Sequence, residues 1–210
     1  MSVVAFAARR PRISRVAASL PLALLWFAFA AANLETWRTT HRPVGLGATL
    51  TELCVAVLFL LRRPALTTSR SPLAWAAAAI GTFGMLGARP AYAPVLGLGW
   101  LYVVLQIAGA VVAVASVIAL GRSFGLVAAN RGICTRGPYR VVRHPLYVGY
   151  FLSGTGYVLE NPSLRNLWLY VVVMGFQAVR IVQEERCLDA DPAYRSYRRR
   201  VPRRVVPFLL

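Results

Sequence analysis

Residues 136–149 read RGPYRVVRHPLYVG and separate two long apolar stretches of the chain. The Gly-Pro pair at 137–138 is a turn signal that ends the preceding structure. Pro145 suits the first position of a helix, where a missing N–H costs nothing, so we expect a helix to begin there. The N-terminus of that helix, with its free N–H groups and partial positive charge, would lie beside Arg143 and His144. The stretch predicts either an anion site or simply a basic loop that anchors a helix.

The composition is that of an integral membrane protein. Apolar residues make up 58% of the 210 residues and charged residues 15%, compared with about 45–50% and 25% in soluble domains. The apolar residues form blocks long enough to cross a hydrocarbon core. We therefore predict an all-α, polytopic membrane bundle that forms a single membrane domain over 1–210, with N-terminal spans in 1–96 and a second group of spans in 97–210.

About six transmembrane helices are predicted, followed by a C-terminal cytosolic amphipathic segment that begins near Pro192. By residue number the spans are 16–34, 44–61, 73–88, 97–120, 145–159 and 164–182. A polar turn is expected at 35–43. The third span carries glycines at three-residue spacing, which allow close approach between helices. The fifth span is short, so we expect it to form a hairpin with the sixth and to be shielded by protein.

The charge distribution predicts the orientation in the membrane. All 24 basic residues are arginine, and the formal net charge is +17. Twenty arginines lie on one side of the predicted spans, and the four on the other side are Arg38, Arg42, Arg89 and Arg165. By the positive-inside rule both termini and both basic loops are cytoplasmic. The basic stretches lack the interleaved aromatic residues of a nucleic-acid platform, so no nucleic-acid partner is expected. The absence of lysine suggests a GC-rich genome and hence a bacterial inner membrane.

The cysteines and the N-terminus add two expectations. Cys54, Cys134 and Cys187 have neither CxxC nor Cys/His spacing, so the sequence predicts no disulfide framework and no metal site. The N-terminus is basic and then apolar, as in a signal peptide. No convincing small-residue cleavage site follows before Glu35, so we expect the first span to be retained.

Three glutamates occupy positions where a charge is unfavourable. Glu52 lies inside the second span, where an ionised group is expensive, and its distance from the basic loops favours a structural hydrogen bond. Glu184 and Glu185 follow the sixth span, where they face the negative end of the helix dipole. The pair forms either an interfacial salt-bridge cluster with Arg143 and Arg186, or a carboxylate site that holds a ligand.

Several motifs together resemble the isoprenylcysteine carboxyl methyltransferase family and the wider group of phospholipid-methyltransferase-like membrane enzymes. In chain order they are LGRSFG (120–125), GPY (137–139), RHPLYVG (143–149), Glu184-Glu185, the tyrosine pair Tyr194 and Tyr197, and RVP (200–202). The resemblance covers about residues 115–208, and RHPxYxG followed by two glutamates is a specific combination. The sequence departs from the family at Asp191-Pro192, where a glycine usually precedes the tyrosine pair.

The resemblance implies an enzyme with a methyltransferase-like core in 97–210. Such an enzyme binds S-adenosylmethionine in a cytosol-facing pocket and receives a lipid-like or amphipathic acceptor sideways from the bilayer. The residues that it assigns to the cofactor are Gly137, Tyr139, His144, Tyr147, Gly149 and Glu185. The residues that it assigns to catalysis are Arg143 and Arg200, which would touch the polar head of the acceptor, and Glu184, which would hold one of them.

The acceptor itself stays open at this point. A carboxylate is favoured, because it is ionised at neutral pH and needs only a cation, which arginine supplies bidentately. An amine would need deprotonation, for which Glu184 or His144 is the nearest candidate. Thiols are a further option. An NADPH-dependent enzyme of the sterol-reductase type and a non-enzymatic lipid-binding membrane protein are the alternative functions, and the oligomeric state is not predicted.

The predicted orientation makes the cysteines a test of topology. Cys134 and Cys187 should react with a membrane-impermeant thiol reagent only from the cytoplasmic side, and Cys54 should not react, because it lies within a span. The measurement is labelling of intact cells compared with inverted vesicles. Labelling of Cys134 from outside intact cells would overturn the orientation.

Overall fold

The computed structural model describes residues 12–41, 43–91, 97 and 99–205. The predicted basic tail before residue 12 and the end of the chain after residue 205 lie outside these residues. The seven α-helices that it describes are α1 (Arg12–Thr40), α2 (Pro43–Leu61), α3 (Pro72–Phe83), α4 (Gly99–Leu120), α5 (Pro145–Glu160), α6 (Leu164–Leu188) and α7 (Pro192–Arg200). Two short strands, β1 (Thr67–Thr68) and β2 (Ala129–Asn130), pair antiparallel with Thr67 opposite Asn130.

The structure confirms a predominantly helical membrane protein. Among the residues that the structure describes, three segments are long and apolar enough to cross a membrane: Ser19–Thr40, Gly99–Ser123 and Leu164–Leu188. The apolar helices Gly45–Leu61 and Pro72–Gly87 are shorter, and α5 has 16 residues. Since about 20 residues are needed to cross a bilayer without tilt or thinning, the count of six spans stays a prediction.

Helix α1 extends beyond its predicted end. A polar turn was expected from residue 35, whereas α1 continues to Thr40. The threonine hydroxyls of the last turn donate to carbonyl oxygens three or four residues earlier, and Glu35 pairs with Arg38 at 3.7 Å. These local contacts satisfy the polar groups within a helix. The chain then reverses at His41, which has a φ of 52°.

The first two helices pack on an aromatic cluster. The ring of Trp26 lies edge-on to Phe29, Phe59 and Phe83, with ring centroids 5.5 to 5.8 Å apart. In the same contact between α1 and α2, Asn33 Nδ2 donates to Glu52 Oε2 at 2.9 Å. The expected structural hydrogen bond of the membrane-embedded glutamate is therefore confirmed.

Close contacts at glycine join the remaining helices in pairs. Directly after α3, a Cβ at Gly84 would lie 2.5 Å from Val173 Cγ2 of α6. Within α3, Gly81 O accepts from Gln177 Nε2 of α6 at 2.7 Å. On α4, a Cβ at Gly109 would lie 2.5 Å from the backbone N of Ser153 on α5. Helix α5 is connected to α6 by a tight turn, as predicted, but it packs mainly on α4.

Helix α7 is held against the ends of the longer helices by both polar and apolar contacts. Asp191 caps α7 by accepting a hydrogen bond from Ala193 N at 2.9 Å and accepts another from Asn130 Nδ2 at 2.8 Å. Tyr194 and Tyr197 lie buried on one face of α7, against Ala119, Tyr139 and Val201. The predicted amphipathic segment is thus a helix whose tyrosine face covers the end of α4.

The contact between α4 and α5 gives a test of helix packing. Gly109→Ala should lower the stability by about 1–3 kcal/mol, because the added methyl meets not only Ser153 Oγ but also the backbone atoms Ser153 N and Gly149 O, which cannot move aside. Gly175→Ala is the matched control, since a Cβ there has nothing within 4 Å. The measurement is thermal unfolding in detergent. Equal unfolding midpoints for the two variants would contradict this packing.

Candidate active site

A cavity lies where α4 and α6 end, α5 begins and α7 crosses over them. The space between its walls is about 790 Å³ when the open mouth is included. The polar side chains that line it include Arg131, Arg143, His144, Tyr147, Arg180 and Glu184. The apolar ones include Leu120, Phe124, Ile133, Leu146 and Leu188. The cavity therefore combines a charged wall with an apolar wall.

Glu185 is the centre of a buried ionic cluster behind the charged wall. Its Oε1 accepts from Arg143 Nε at 2.8 Å and lies 3.2 Å from His144 Nε2. Its Oε2 accepts from Arg204 Nε at 3.0 Å. The Arg143 and Glu185 side chains are only 5% and 6% exposed, so both charges depend on each other for compensation.

The segment 201–204 is bound to the start of α5. Arg143 N donates to Arg203 O at 2.9 Å and His144 N donates to Arg204 O at 2.8 Å. The Arg143 guanidinium also donates from Nη1 to the carbonyl oxygens of Val201 and Pro202. The arginine and histidine before Pro145 thus satisfy the backbone of segment 201–204 and fix it beside the cavity.

Glu184 points into the cavity. Its Oε1 accepts from the Tyr147 hydroxyl and from Arg180 Nε. Its Oε2 lies 3.8 Å from His144 Nδ1 and accepts no hydrogen bond from the residues that the structure describes. The side chain is 23% exposed. One oxygen of Glu184 is therefore available to a ligand.

Two further arginines that line the cavity differ in the hydrogen-bond partners of their guanidinium groups. Arg180 donates to Glu184, to Thr82 Oγ1 and to Gly125 O, and its guanidinium lies 5.7 Å from the centre of the Tyr147 ring. Arg131 Nε is buried without a hydrogen-bond partner among the described residues. Burial, with added repulsion from Arg62, lowers the pKa of Arg131 to about 10, so the guanidinium still carries its charge at neutral pH.

Buried tyrosines close the side of the cavity next to α7. Tyr139, Tyr194 and Tyr197 all line it, and the Tyr197 hydroxyl donates to Tyr139 O at 2.7 Å. Burial raises the pKa of each of these hydroxyls above its usual value. These hydroxyls therefore stay protonated at neutral pH, and the three residues offer uncharged hydrogen-bonding groups and aromatic surface.

The structure brings together most of the predicted site residues. Those that line the cavity are Tyr139, Arg143, His144, Tyr147 and Glu184. Three others lie elsewhere. Gly137, with a φ of 57°, forms a turn against Ala119. A Cβ at Gly149 would lie 2.8 Å from the backbone of α4. Arg200 is exposed at the end of α7.

Glu185 was predicted to bind the cofactor, and Glu184 was predicted to hold Arg143 or Arg200. In the structure Glu185 bonds Arg143, whereas Glu184 bonds Arg180 and lines the cavity. The contact of either glutamate with a ligand stays a prediction. Sequence reasoning also missed Arg131 and Arg180 as cavity residues. The i,i+4 spacing of Arg180 and Glu184 was the available signal for the second of these, and no local motif marks the first.

Comparison with known proteins adds independent similarities. A model of the phospholipid methyltransferase family matches residues 96–191. Protein-S-isoprenylcysteine O-methyltransferase A of Arabidopsis thaliana is 38% identical over 93 residues, 41% of this chain and 47% of that protein. Protein-S-isoprenylcysteine O-methyltransferase of Schizosaccharomyces pombe is 37% identical over 91 residues, 39% of this chain and 38% of that protein. In both cases the match spans less than half of the relative's length.

A bacterial relative is similar over more of the chain. Nickel-cobalt-cadmium resistance protein NccN of Alcaligenes xylosoxydans xylosoxydans is 30% identical over 178 residues, 82% of this chain and 68% of that protein. No solved structure matches the chain significantly.

In the part of the chain that the structure describes, no group of three or more His, Cys, Asp or Glu side chains is arranged to hold a metal ion.

The ionic cluster gives a test of how segment 201–204 is held. Arg143→Lys should lower stability by at least about 2 kcal/mol, because one ammonium cannot reach Glu185 and two carbonyl oxygens with the geometry of a guanidinium. Arg200→Lys is the matched control and should leave the unfolding midpoint unchanged, since that side chain is exposed. Thermal unfolding in detergent measures both. If Arg200→Lys is the more damaging change, the assignment of these two arginines is reversed.

Proposed function

We propose that this protein transfers a methyl group from S-adenosylmethionine to a lipid-like or amphipathic acceptor, at a carboxylate. The match of residues 96–191 to the phospholipid methyltransferase family and the similarity to two isoprenylcysteine O-methyltransferases support the proposal. The observation that carries the proposal is the cavity with one charged and one apolar wall at the ends of the membrane helices. A methyltransferase for membrane-dissolved molecules needs both walls, because its donor is polar and its acceptor is not.

The charged wall fits the proposed donor. S-adenosylmethionine has a positively charged sulfonium and ammonium, ribose hydroxyls that donate hydrogen bonds, and an aromatic base. Glu184 has a free oxygen that can accept from an ammonium or a hydroxyl. The rings of Tyr139 and Tyr147 in the cavity wall offer faces that attract cations and stack on a base. When bound, the sulfonium supplies an activated methyl group, so the protein contributes mainly orientation.

In this proposal the residues next to Glu184 keep its charge in place. Tyr147 and Arg180 both bond Oε1, which aims Oε2 at the ligand. His144 lies between the two glutamates, 3.2 Å from Glu185 and 3.8 Å from Glu184, and is fixed by its backbone bond to Arg204 O. Glu185, Gly137 and Gly149 would then act on the donor indirectly, by shaping the walls that touch it.

The proposed acceptor is an anion at the end of an apolar body. Leu120, Phe124 and Leu146 offer an apolar surface next to the charged wall, where the hydrocarbon part of an acceptor could lie. A carboxylate needs no general base, whereas an amine would first have to lose a proton to Glu184 or His144. Because Nε and Nη1 of Arg143 are engaged by Glu185 and two carbonyl oxygens, we assign Arg143 mainly the role of positioning segment 201–204.

The proposal also includes the orientation in the membrane. In the predicted topology, 20 of the 24 arginines lie on the side of the termini, which supports a cytoplasmic position of the site by the positive-inside rule. The donor is water-soluble and would enter from that side, while the acceptor would enter from the bilayer. A bacterial inner membrane remains the proposed location.

Ligand binding tests this function directly. The purified protein should bind S-adenosylhomocysteine in a calorimetric titration and should not bind NADPH. Glu184→Gln should weaken S-adenosylhomocysteine binding by more than tenfold, about 1.4 kcal/mol, because the amide removes the charge that faces the donor's ammonium. Glu35→Gln, at an exposed glutamate of α1, is the control for loss of one negative charge.

Three outcomes separate the alternatives. Binding of NADPH without S-adenosylhomocysteine would favour a reductase, and binding of neither would favour a non-enzymatic lipid-binding protein. Methyl transfer from labelled donor to extracted membranes then shows whether the label enters lipids or proteins, and its stability to mild base distinguishes an ester from a methylated amine.

A further inference from the structure

We infer that Arg131 is the anion subsite of this cavity and binds the carboxylate of a ligand. The inference rests on the proposed function and deepens it, because it names a residue that neither the motifs nor the family resemblance assigned. Two carboxylates are available in the proposed reaction: that of the methionyl part of the donor, and that of an acidic acceptor. Both present the same chemistry to an arginine, and the experiment below distinguishes them.

The first supporting observation is the difference between Arg131 and the other cavity arginines. Arg143 is bonded to Glu185 and two carbonyl oxygens. Arg180 is bonded to Glu184, Thr82 and Gly125. Arg131 also lines the cavity, but its Nε is buried and has no hydrogen-bond acceptor among residues 99–205, which form the cavity. A buried charged donor of this kind is costly unless a partner satisfies it.

The second observation is that the backbone around Arg131 is fixed. Arg131 O accepts from Ser123 Oγ at 3.1 Å. The preceding residue, Asn130, is paired with Thr67 in the two-stranded sheet and donates from its side chain to Asp191 at the start of α7. Asn130 Oδ1 also accepts from Gly132 N at 2.9 Å. A side chain on such a loop has a defined direction, which lowers the entropy cost of binding.

The third observation is the close approach of Gly125. A Cβ at residue 125 would lie 2.3 Å from Arg131 Nη1 and 2.8 Å from Cζ, but 3.4 Å from Nη2. The glycine therefore lets the Nη1 side of the guanidinium lie against the backbone. The opposite edge, which carries Nε and Nη2, is farther from this contact and is the edge that binds a carboxylate with two parallel hydrogen bonds.

The charges around Arg131 favour an incoming anion. The charge of Arg62 repels Arg131, and the attracting neighbours are Cys187 and Glu184. Glu184 is already compensated by Arg180, and a thiol is largely neutral at physiological pH. The positive charge of Arg131 is thus only partly balanced by the described protein groups, and a bound carboxylate would complete the balance.

The experiment compares Arg131→Gln and Arg131→Lys with the wild-type protein. Arg186→Gln is the control, because Arg186 is exposed on the last turn of α6 and does not line the cavity. The probes are S-adenosylhomocysteine, 5′-methylthioadenosine, which is the same nucleoside thioether without the amino-acid part, and palmitate in detergent with S-adenosylhomocysteine present. Dissociation constants come from calorimetry, and thermal midpoints verify that each variant is folded.

Either of two results supports the inference and identifies the ligand. If Arg131 binds the donor's carboxylate, Arg131→Gln weakens S-adenosylhomocysteine binding more than tenfold and leaves 5′-methylthioadenosine binding unchanged. If Arg131 binds the acceptor's carboxylate, S-adenosylhomocysteine binding is unchanged and palmitate binding falls more than tenfold. In both cases Arg131→Lys should recover only part of the loss, since it keeps the charge and loses the two-pronged geometry.

Other results overturn the inference. They are unchanged binding of all three probes in Arg131→Gln, an equal loss for S-adenosylhomocysteine and 5′-methylthioadenosine, or an equal loss in Arg186→Gln. These results are distinct from failure of the proposed function, which would appear as absence of S-adenosylhomocysteine binding in the wild-type protein.

Discussion

The buried Glu185 carboxylate is the interaction on which the rest of the site depends. It joins α6, on which it lies, to two other parts of the chain. It accepts from Arg143 and lies beside His144, both directly before α5, and it accepts from Arg204 after α7. Buried ion pairs of this kind add little net stability, yet breaking one leaves an uncompensated charge at a cost of several kcal/mol. Its effect is therefore to specify one arrangement of the segments around the cavity. The charged wall follows from that arrangement, since Glu184 is the next residue of the same helix.

Close packing at small residues has a corresponding role inside the membrane. Helices in lipid gain little from burying apolar side chains against each other, so their association depends on close contact and on a few interhelical hydrogen bonds. Gly109 with Ser153, and Gly81 with Gln177, provide such contacts for α4 with α5 and for α3 with α6. These two helix pairs carry Phe124, Arg180 and Glu184 toward the same place, which is why a cavity forms at their ends.

The sequence predicted the helix start at Pro145, the glycine contacts at α3 and the hydrogen bond of Glu52. The first two depend on local sequence, and the third follows because a carboxyl group within an apolar helix needs a hydrogen-bond partner. It did not separate the roles of Glu184 and Glu185. Adjacent residues on a helix point about 100° apart, and which of the two faces Arg143 is decided by the rotation of α6 against α5. It also selected Arg200, which is exposed in the structure, and passed over Arg131, which lines the cavity. In a chain whose 24 basic residues are all arginine, local sequence does not show which side chain enters the cavity.

The backbone bonds from Arg143 and His144 to residues 203 and 204 also set an order of events during biosynthesis. Helices α4 and α5 can enter the membrane and pack as soon as they leave the ribosome, because their contacts are close in sequence. The wall around Glu185 cannot form until synthesis has passed residue 204, some 60 residues after Arg143. Until then Glu185 lacks Arg204, and the N–H groups of Arg143 and His144 lack their carbonyl acceptors. A nascent chain halted before that point would therefore carry an inserted helical bundle with an incomplete cavity wall.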